Sequence, residues 1–266
     1  MAKQIEQFYD TYKDYSEDIY MQTRKDTYGE DIGQISWITA DEYRKFFKLI
    51  NLSADKKVLE VASGSGGPAV FTVKETGCQL TGIDINENGV ASATRLAAEN
   101  GLSDKTEFLV ANADASLPFT DETFDVIVSM DSINHFKNRA HDFKEWIRLL
   151  KKNGCLLFTD PVVVTGILTN EEIASRSSLG FYLFVPKGEN ERLLREAGFR
   201  EIETIDVTDN IIATSRQWHD AREKRKEALV RFEGEEKFNS IQYFLQTTHL
   251  VSKERRLSRF MYKAKK

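Results

Sequence analysis

The sequence predicts an α/β fold, a doubly wound, mostly parallel sheet of seven strands, and two observations carry that prediction. Short apolar runs alternate with helix-length segments through the middle of the chain. The first run, Lys57-Val58-Leu59-Glu60-Val61, empties into a glycine-rich turn, Gly64-Ser65-Gly66-Gly67, with Pro68 just beyond it.

Residues 1–55 are rich in Tyr, Asp and Lys and read as helices broken at Tyr28-Gly29-Glu30-Asp31. The run 57–61 reads as a buried strand, being short, apolar and closed by small residues. Pro68 suits the first turn of a helix, where its missing N–H costs nothing, and Gly77 stops that helix. Residues 80–84 form strand two, 88–100 a helix ended by Gly101, 106–110 strand three and 124–130 strand four. A helix over 140–152, closed by Asn153-Gly154, leads into strand five at 155–159. Residues 161–187 read as a less regular insertion. A helix at 190–197, strand six at 200–207, helices at 218–232 and 235–249, and an edge strand at 256–264 complete the chain.

Its 266 residues, 41% hydrophobic and 30% charged, describe an ordinary globular protein, read as one compact domain. The net charge of -5 gives no global attraction to nucleic acid or anionic membrane, and only the stretch 253–266 is basic. Cys78 and Cys155 read as reduced packing thiols. With no leader or membrane-length apolar run, the expected location is cytoplasmic. His219 and His249 lack ligand partners at suitable spacing, so no metal is expected.

Ligands of an open parallel sheet bind beyond the carboxyl ends of its strands, and four polar signals fall there. The glycine loop lets backbone approach a ligand closely. Asp84 closes strand two, where a carboxylate accepts both hydroxyls of a ribose. Asp114 follows strand three, beside Ala113 and Ala115, placed to accept from an adenine amine. Asp131 and His135 follow strand four. The loop also satisfies the dinucleotide fingerprint, with Asp84 near the ribose distance. Glu60 tips the balance: a carboxylate inside a strand calls for a cation at the strand end, and it would repel a pyrophosphate.

Residues 58–67, Asp84, Asn112-Ala113-Asp114 and Phe124-Asp125-Val126-Ile127 resemble the class I S-adenosylmethionine methyltransferases over about residues 55–160. Tyr15-Ser16-Glu17-Asp18, Tyr28-Gly29-Glu30, Ile35-Ser36, the run from Asp131 to His135 and the ending from Arg259 to Ala264 resemble a narrower group. That group contains the phosphoethanolamine and sarcosine/dimethylglycine methyltransferases. The resemblance implies S-adenosylmethionine as cofactor, held by Ser36, Glu60, Ala62, Gly64, Gly66, Asp84, Ile85, Ala113, Asp114, Ala115, Met130 and Asp131. It also implies an N-terminal helical lid with Tyr15 and His135 closing over the donor methyl. Pro161 stands where the phosphobase enzymes carry a phosphate-binding Tyr, and Ser177-Ser178-Leu179 lacks the Tyr expected beside Arg176. Both departures argue against a phosphorylated amine. Arg176 itself reads as a solvated or locally paired arginine, and the late aromatics from Phe181 to Phe244 as packing for added helices.

The expected activity is methyl transfer to a small molecule, nitrogen favoured, with His135 as base, near neutrality in its ordinary state. The expected division is a lid over 1–55, a cofactor core over 56–160, and the rest of the sheet with acceptor-pocket insertions over 161–266. A quinone-type or natural-product carbon or oxygen acceptor stays open. A NAD-dependent dehydrogenase and a non-catalytic S-adenosylmethionine-binding module are the rival classes. An RNA acceptor fits poorly with the acidic balance.

Overall fold

The computed structural model describes residues 17–266. Among the described residues, the helices α1 (Asp18–Tyr28) and α2 (Ala40–Leu49) precede the sheet. Then β1 (Lys57–Val61), α3 (Gly67–Thr76), β2 (Gln79–Asp84), α4 (Glu87–Glu99) and β3 (Thr106–Val110) follow. After these come β4 (Phe124–Ser129), α5 (Arg139–Leu149) and β5 (Leu150–Val164), then α6 (Asn170–Arg176), β6 (Val185–Pro186) and α7 (Glu189–Ala197). The chain closes with β7 (Arg200–Asp206), α8 (Thr208–Glu223), α9 (Lys226–Glu233), α10 (Glu235–Lys253) and β8 (Leu257–Lys265).

Seven strands lie in the order β3-β2-β1-β4-β5-β8-β7, and the two-residue β6 pairs with β5. The strands β1 to β5 are mutually parallel, whereas β8 runs antiparallel to both β5 and β7. The expected doubly wound sheet is therefore present.

Period-two alternation sends side chains to two cores. Leu59, Ile127, Leu156, Phe158 and Tyr262 pack on one face against Phe143 and Trp146 of α5. Val58, Val126, Leu157 and Met261 pack on the other against Phe46 of α2 and Phe71 of α3. By the same parity Glu60 faces the side of α2, towards Tyr43.

Three expectations are corrected. The helix α5 ends at Leu149, and Asn153-Gly154 sits inside β5, not at a helix stop. There β5 bulges, Phe124 pairing with Leu150 and Val126 with Cys155, with Asn153 at φ +63°. Strand five continues through Pro161 to Val164, because Val162 and Val163 are fully buried and β8 pairs with it. The last strand is interior, since β7 takes the edge outside it.

Candidate active site

The strand order turns around between β1 and β4, so the chain leaves these neighbours in opposite directions and opens a crevice at their carboxyl ends. A cavity of about 320 Å³ lies there. Its walls come from the loops after β1, β2, β3 and β4, covered by Gly33, Ile35 and Ser36 from the segment between α1 and α2.

Of the sequence-predicted residues, Ser36, Glu60, Ala62, Gly64, Asp84 and Ile85 line this cavity, as do Ala113, Asp114, Met130, Asp131 and His135. Gly66 and Ala115 do not. Gly66 turns the chain into α3 at φ +79°, packed so closely on Ala93 that an added Cβ would lie 2.5 Å from the Ala93 Cβ. Ala115 is exposed on the turn after Asp114. Tyr15 lies outside the described residues.

The loop after β1 is built by backbone geometry and one acid. Gly64 N–H donates to Asp84 Oδ2 at 2.8 Å, and Asn86 N–H donates to Asp84 Oδ1 at 2.9 Å. Asp84 is thus rigid, with a lone pair left on each oxygen, and burial raises its pKa. Ala62 holds φ +63°, a left-handed conformation that glycine adopts more readily. At Gly67, an added Cβ would lie 2.4 Å from the Ile32 carbonyl oxygen, so the cover rests directly on the helix start.

Two buried polar atoms at this cavity have no hydrogen-bond partner among the described residues: Glu60 Oε2 and Ser63 Oγ. Burial, with a smaller contribution from Asp84, pushes the Glu60 carboxyl up to about 8. An orphaned acid in a cavity wall is a receptor for a cation or donor.

Asp114 Oδ1 accepts from the Lys137 N–H at 2.7 Å and more weakly from Asn138 N–H at 3.3 Å. Its other oxygen has no partner among the described residues, and exposed apolar Ile85 stands at the neighbouring strand end.

Asp131 departs from expectation. Its Oδ1 accepts from Arg259 Nε at 2.7 Å and Thr159 Oγ1 at 2.8 Å, and its Oδ2 accepts from Trp37 N–H at 2.9 Å. The carboxylate is committed inside the protein, and the residue holds φ +54°.

His135 stands at the far end of the cavity. Its Nδ1 is 2.7 Å from the Phe181 carbonyl, which only accepts, so the proton is on Nδ1. Nε2 is then the acceptor, 3.1 Å from Asn134 Nδ2. Burial is the main cause that lowers the imidazole to about 4, and the cation of Arg176 adds to it. The expected near-neutral base is therefore a firmly neutral imidazole.

The Tyr182 ring lies edge-on to His135 with centroids 4.7 Å apart, and Arg176 sits behind that ring, 5.5 Å from its centroid. Arg176 is not solvated and has no ion pair among the described residues, contrary to its sequence reading. It is 1% exposed, none of its three guanidinium nitrogens has a hydrogen bond among the described residues, and Trp37 and Phe244 complete an aromatic cage at 5.7 and 4.8 Å. Burial lowers its pKa, and the nearby Tyr182 hydroxyl acts in the opposite sense.

Tyr43 and Glu42 carry no sequence signal of a site, and Arg259 enters the sequence reading only as the start of the ending that resembles the narrower methyltransferase group. Glu42 and Arg259 meet across 217 positions, and no local pattern encodes such a pair. Among the described residues no cluster suits a metal ion and no helix is long and apolar enough to cross a membrane.

Residues 59–158 match the family model described as a methyltransferase domain. The chain is 29% identical to phosphoethanolamine N-methyltransferase 3 of Arabidopsis thaliana, over 74% of this chain and 40% of that protein. It is 28% identical to the glycine/sarcosine/dimethylglycine N-methyltransferase of Actinopolyspora halophila, over 70% of this chain and 33% of that protein. It thus spans less than half the length of these two curated relatives. In fold it superposes on phosphoethanolamine N-methyltransferase 2 of Haemonchus contortus with a TM-score of 0.82. That likeness has 20% identity and covers 97% of this chain and 59% of the other.

Proposed function

We propose, from the premise that this chain carries a methyltransferase domain, that it transfers a methyl group from S-adenosylmethionine to a small-molecule acceptor. The observation that carries the proposal is the orphaned, buried Glu60 carboxylate in the cavity wall, with Asp84 at the end of the next strand and Asp114 after the one beyond it. A donor with an ammonium, a ribose and an adenine meets one acid for each.

In this reading Glu60 takes the ammonium of the amino-acid portion, and Asp84 accepts from the ribose hydroxyls. Asp114 accepts from the adenine amine through its remaining oxygen, with Ile85 and Ala113 against the ring. Gly64 and Ala62 keep the loop backbone close, and Ser36 and Met130 close the methionine end. When bound, the donor supplies a methyl on a sulfonium, open to in-line attack. The chain's own work is alignment and exclusion of water.

His135 orients the nucleophile through Nε2, whose one lone pair exchanges the Asn134 amide for the acceptor's N–H. A conjugate acid near 4 is a poor match for an alkylammonium, whose pKa lies roughly six factors of ten higher. The amine therefore arrives neutral, and His135 holds its N–H. Tyr15 belongs to this reading as the residue that closes the lid beside His135.

The acceptor carries an anionic group on the side of Arg176, whose buried guanidinium has, among the described residues, unused donors and no carboxylate within ion-pair distance. A single cation with aromatic walls suits a carboxylate. The core over 56–160 binds the donor, 161–266 shapes the acceptor pocket, and 1–55 covers both, in a cytoplasmic protein that acts on neither nucleic acid nor membrane.

A labelled-methyl assay against amines, amino acids, phosphoamines, quinols and a metabolite extract tests this reading. Incorporation into an anionic small amine is expected. Label appearing only in nucleic acid or protein overturns it, as does binding of NAD without S-adenosylmethionine.

A further inference from the structure

We infer that Arg259 is a positioning residue: it ties the cover of the donor pocket, residues 33–37, to the pocket floor at Asp131, and so sets how tightly the cavity closes on its ligand. The inference rests on the donor reading of that cavity.

Arg259 comes from β8 and is fully buried, yet it does not line the cavity. Its Nε donates to Asp131 Oδ1 at 2.7 Å, and its Nη1 donates to both Glu42 oxygens at 2.8 Å. The strand that supplies it is the last of the chain, Glu42 starts α2, and Asp131 follows β4. One side chain thus joins three elements that lie far apart along the chain.

What hangs on the cluster is Trp37. Its N–H ends on Asp131 Oδ2 at 2.9 Å. Its carbonyl accepts from Asn210 Nδ2 at 3.0 Å and from Thr214 Oγ1 at 3.2 Å. Asn210 Nδ2 also reaches Glu42 Oε2, at 2.5 Å. Both polar backbone atoms of Trp37 therefore depend on acids that Arg259 holds in place. The residues just before it, Ile35 and Ser36, are the cavity cover. Asp131, at φ +54°, needs this over-determination to keep a conformation unusual for a non-glycine residue.

Charge gives the second reason. Glu42, Asp131 and Glu60 all act on the same Tyr43 hydroxyl, so three acids share one buried neighbourhood. Arg259 satisfies the first two and leaves Glu60 as the acid that answers an incoming cation. A buried pair of this kind contributes little net stability beside a hydrophobic replacement. Its use here is direction.

The test takes the full chain with Arg259→Met and Arg259→Lys. S-adenosylhomocysteine affinity is read by titration calorimetry, and amide exchange is compared between residues 33–38 and 124–129. If the closed cover falls to about a tenth of the population, affinity falls about tenfold. Arg259→Met is expected to do this and to speed exchange at 33–38 alone, and Arg259→Lys to recover part of both. A folded Arg259→Met with wild-type affinity, or with exchange raised equally in both segments, overturns the inference. Should Arg259→Met not fold, Asn210→Leu decides: a roughly threefold loss with the same local exchange supports the tie, and unchanged affinity overturns it. If the wild-type chain binds no S-adenosylhomocysteine, the donor reading fails, while exchange at 33–38 in the variants still judges the tie.

Discussion

Replacing Glu60 with Gln tests the donor site at its most charged point. In the free protein, burial holds the Glu60 carboxyl at about 8 against an ordinary 4.5. The unfolded chain releases this proton first, so the raised value stabilises the fold fully below about 4.5. That contribution shrinks as pH rises and is gone above about 8. At about 1.4 kcal/mol per factor of ten the whole span is roughly 5 kcal/mol. The open cavity in front of the carboxyl wets it in part, and about half, 2 to 3 kcal/mol, is expected. The variant, neutral throughout, should therefore match wild type near pH 5 and melt roughly 5–10 °C higher at pH 9 without ligand. Binding should move the other way. A donor ammonium needs the ionised acid, of which about 1% is present at pH 6, so wild-type affinity should rise on the order of a hundredfold from pH 6 to above 8. Glu60→Gln should bind S-adenosylhomocysteine weakly and without that slope. Melting curves and calorimetry over pH 5–9 measure both effects. Equal pH slopes for variant and wild type, or equal affinity at pH 8.5, would refute the assignment of Glu60 to the ammonium.

His135 is held neutral, its imidazole lowered to about 4, so the turnover profile should show no inflection from it between pH 5.5 and 8. Its contribution to stability is present above 6.5 and is lost as pH falls through 4. His135→Asn should lower kcat by about 10- to 100-fold without changing the profile's shape, and loss of a wild-type inflection near 6.5 would contradict the neutral-acceptor role. Gly67→Ala should push the Ile32–Gly33 backbone off the helix start, costing about 1–3 kcal/mol in denaturant unfolding, with weaker donor binding. Arg176→Met should leave the free protein as stable or up to about 1–4 kcal/mol more stable, because a fully buried cation with no ion pair among the described residues is removed. The KM for the acceptor should rise while donor affinity stays; a large loss of stability instead would mean that the aromatic cage needs its cation.

The parts that were legible in the sequence are local or periodic. Strand β1, its glycine turn and the helix start at Pro68 follow from a short apolar run, small residues and one proline within a dozen positions. The acids Glu60, Asp84 and Asp114 were legible because Glu60 is the penultimate residue of its strand, Asp84 ends its strand and Asp114 follows one, and a parallel sheet gathers its strand ends at one edge. The Asn153-Gly154 misreading shows the limit. The same dipeptide ends a helix or shapes a bulge, and the pairing of β4 with β5 chose the bulge.

By itself, then, the sequence determined the winding of the sheet, the two-sided core and which acids reach the crevice, because these depend on spacing along the chain. Tertiary structure alone decided what those side chains have left to offer. It spent Asp131 on Arg259 and Trp37, left Glu60 Oε2 without a hydrogen bond among the described residues and enclosed Arg176 in aromatic rings. It also pressed His135 into its neutral form. Each outcome depends on residues brought together from distant parts of the chain, and burial, which sets the strength of a charge, is a property of the packed molecule.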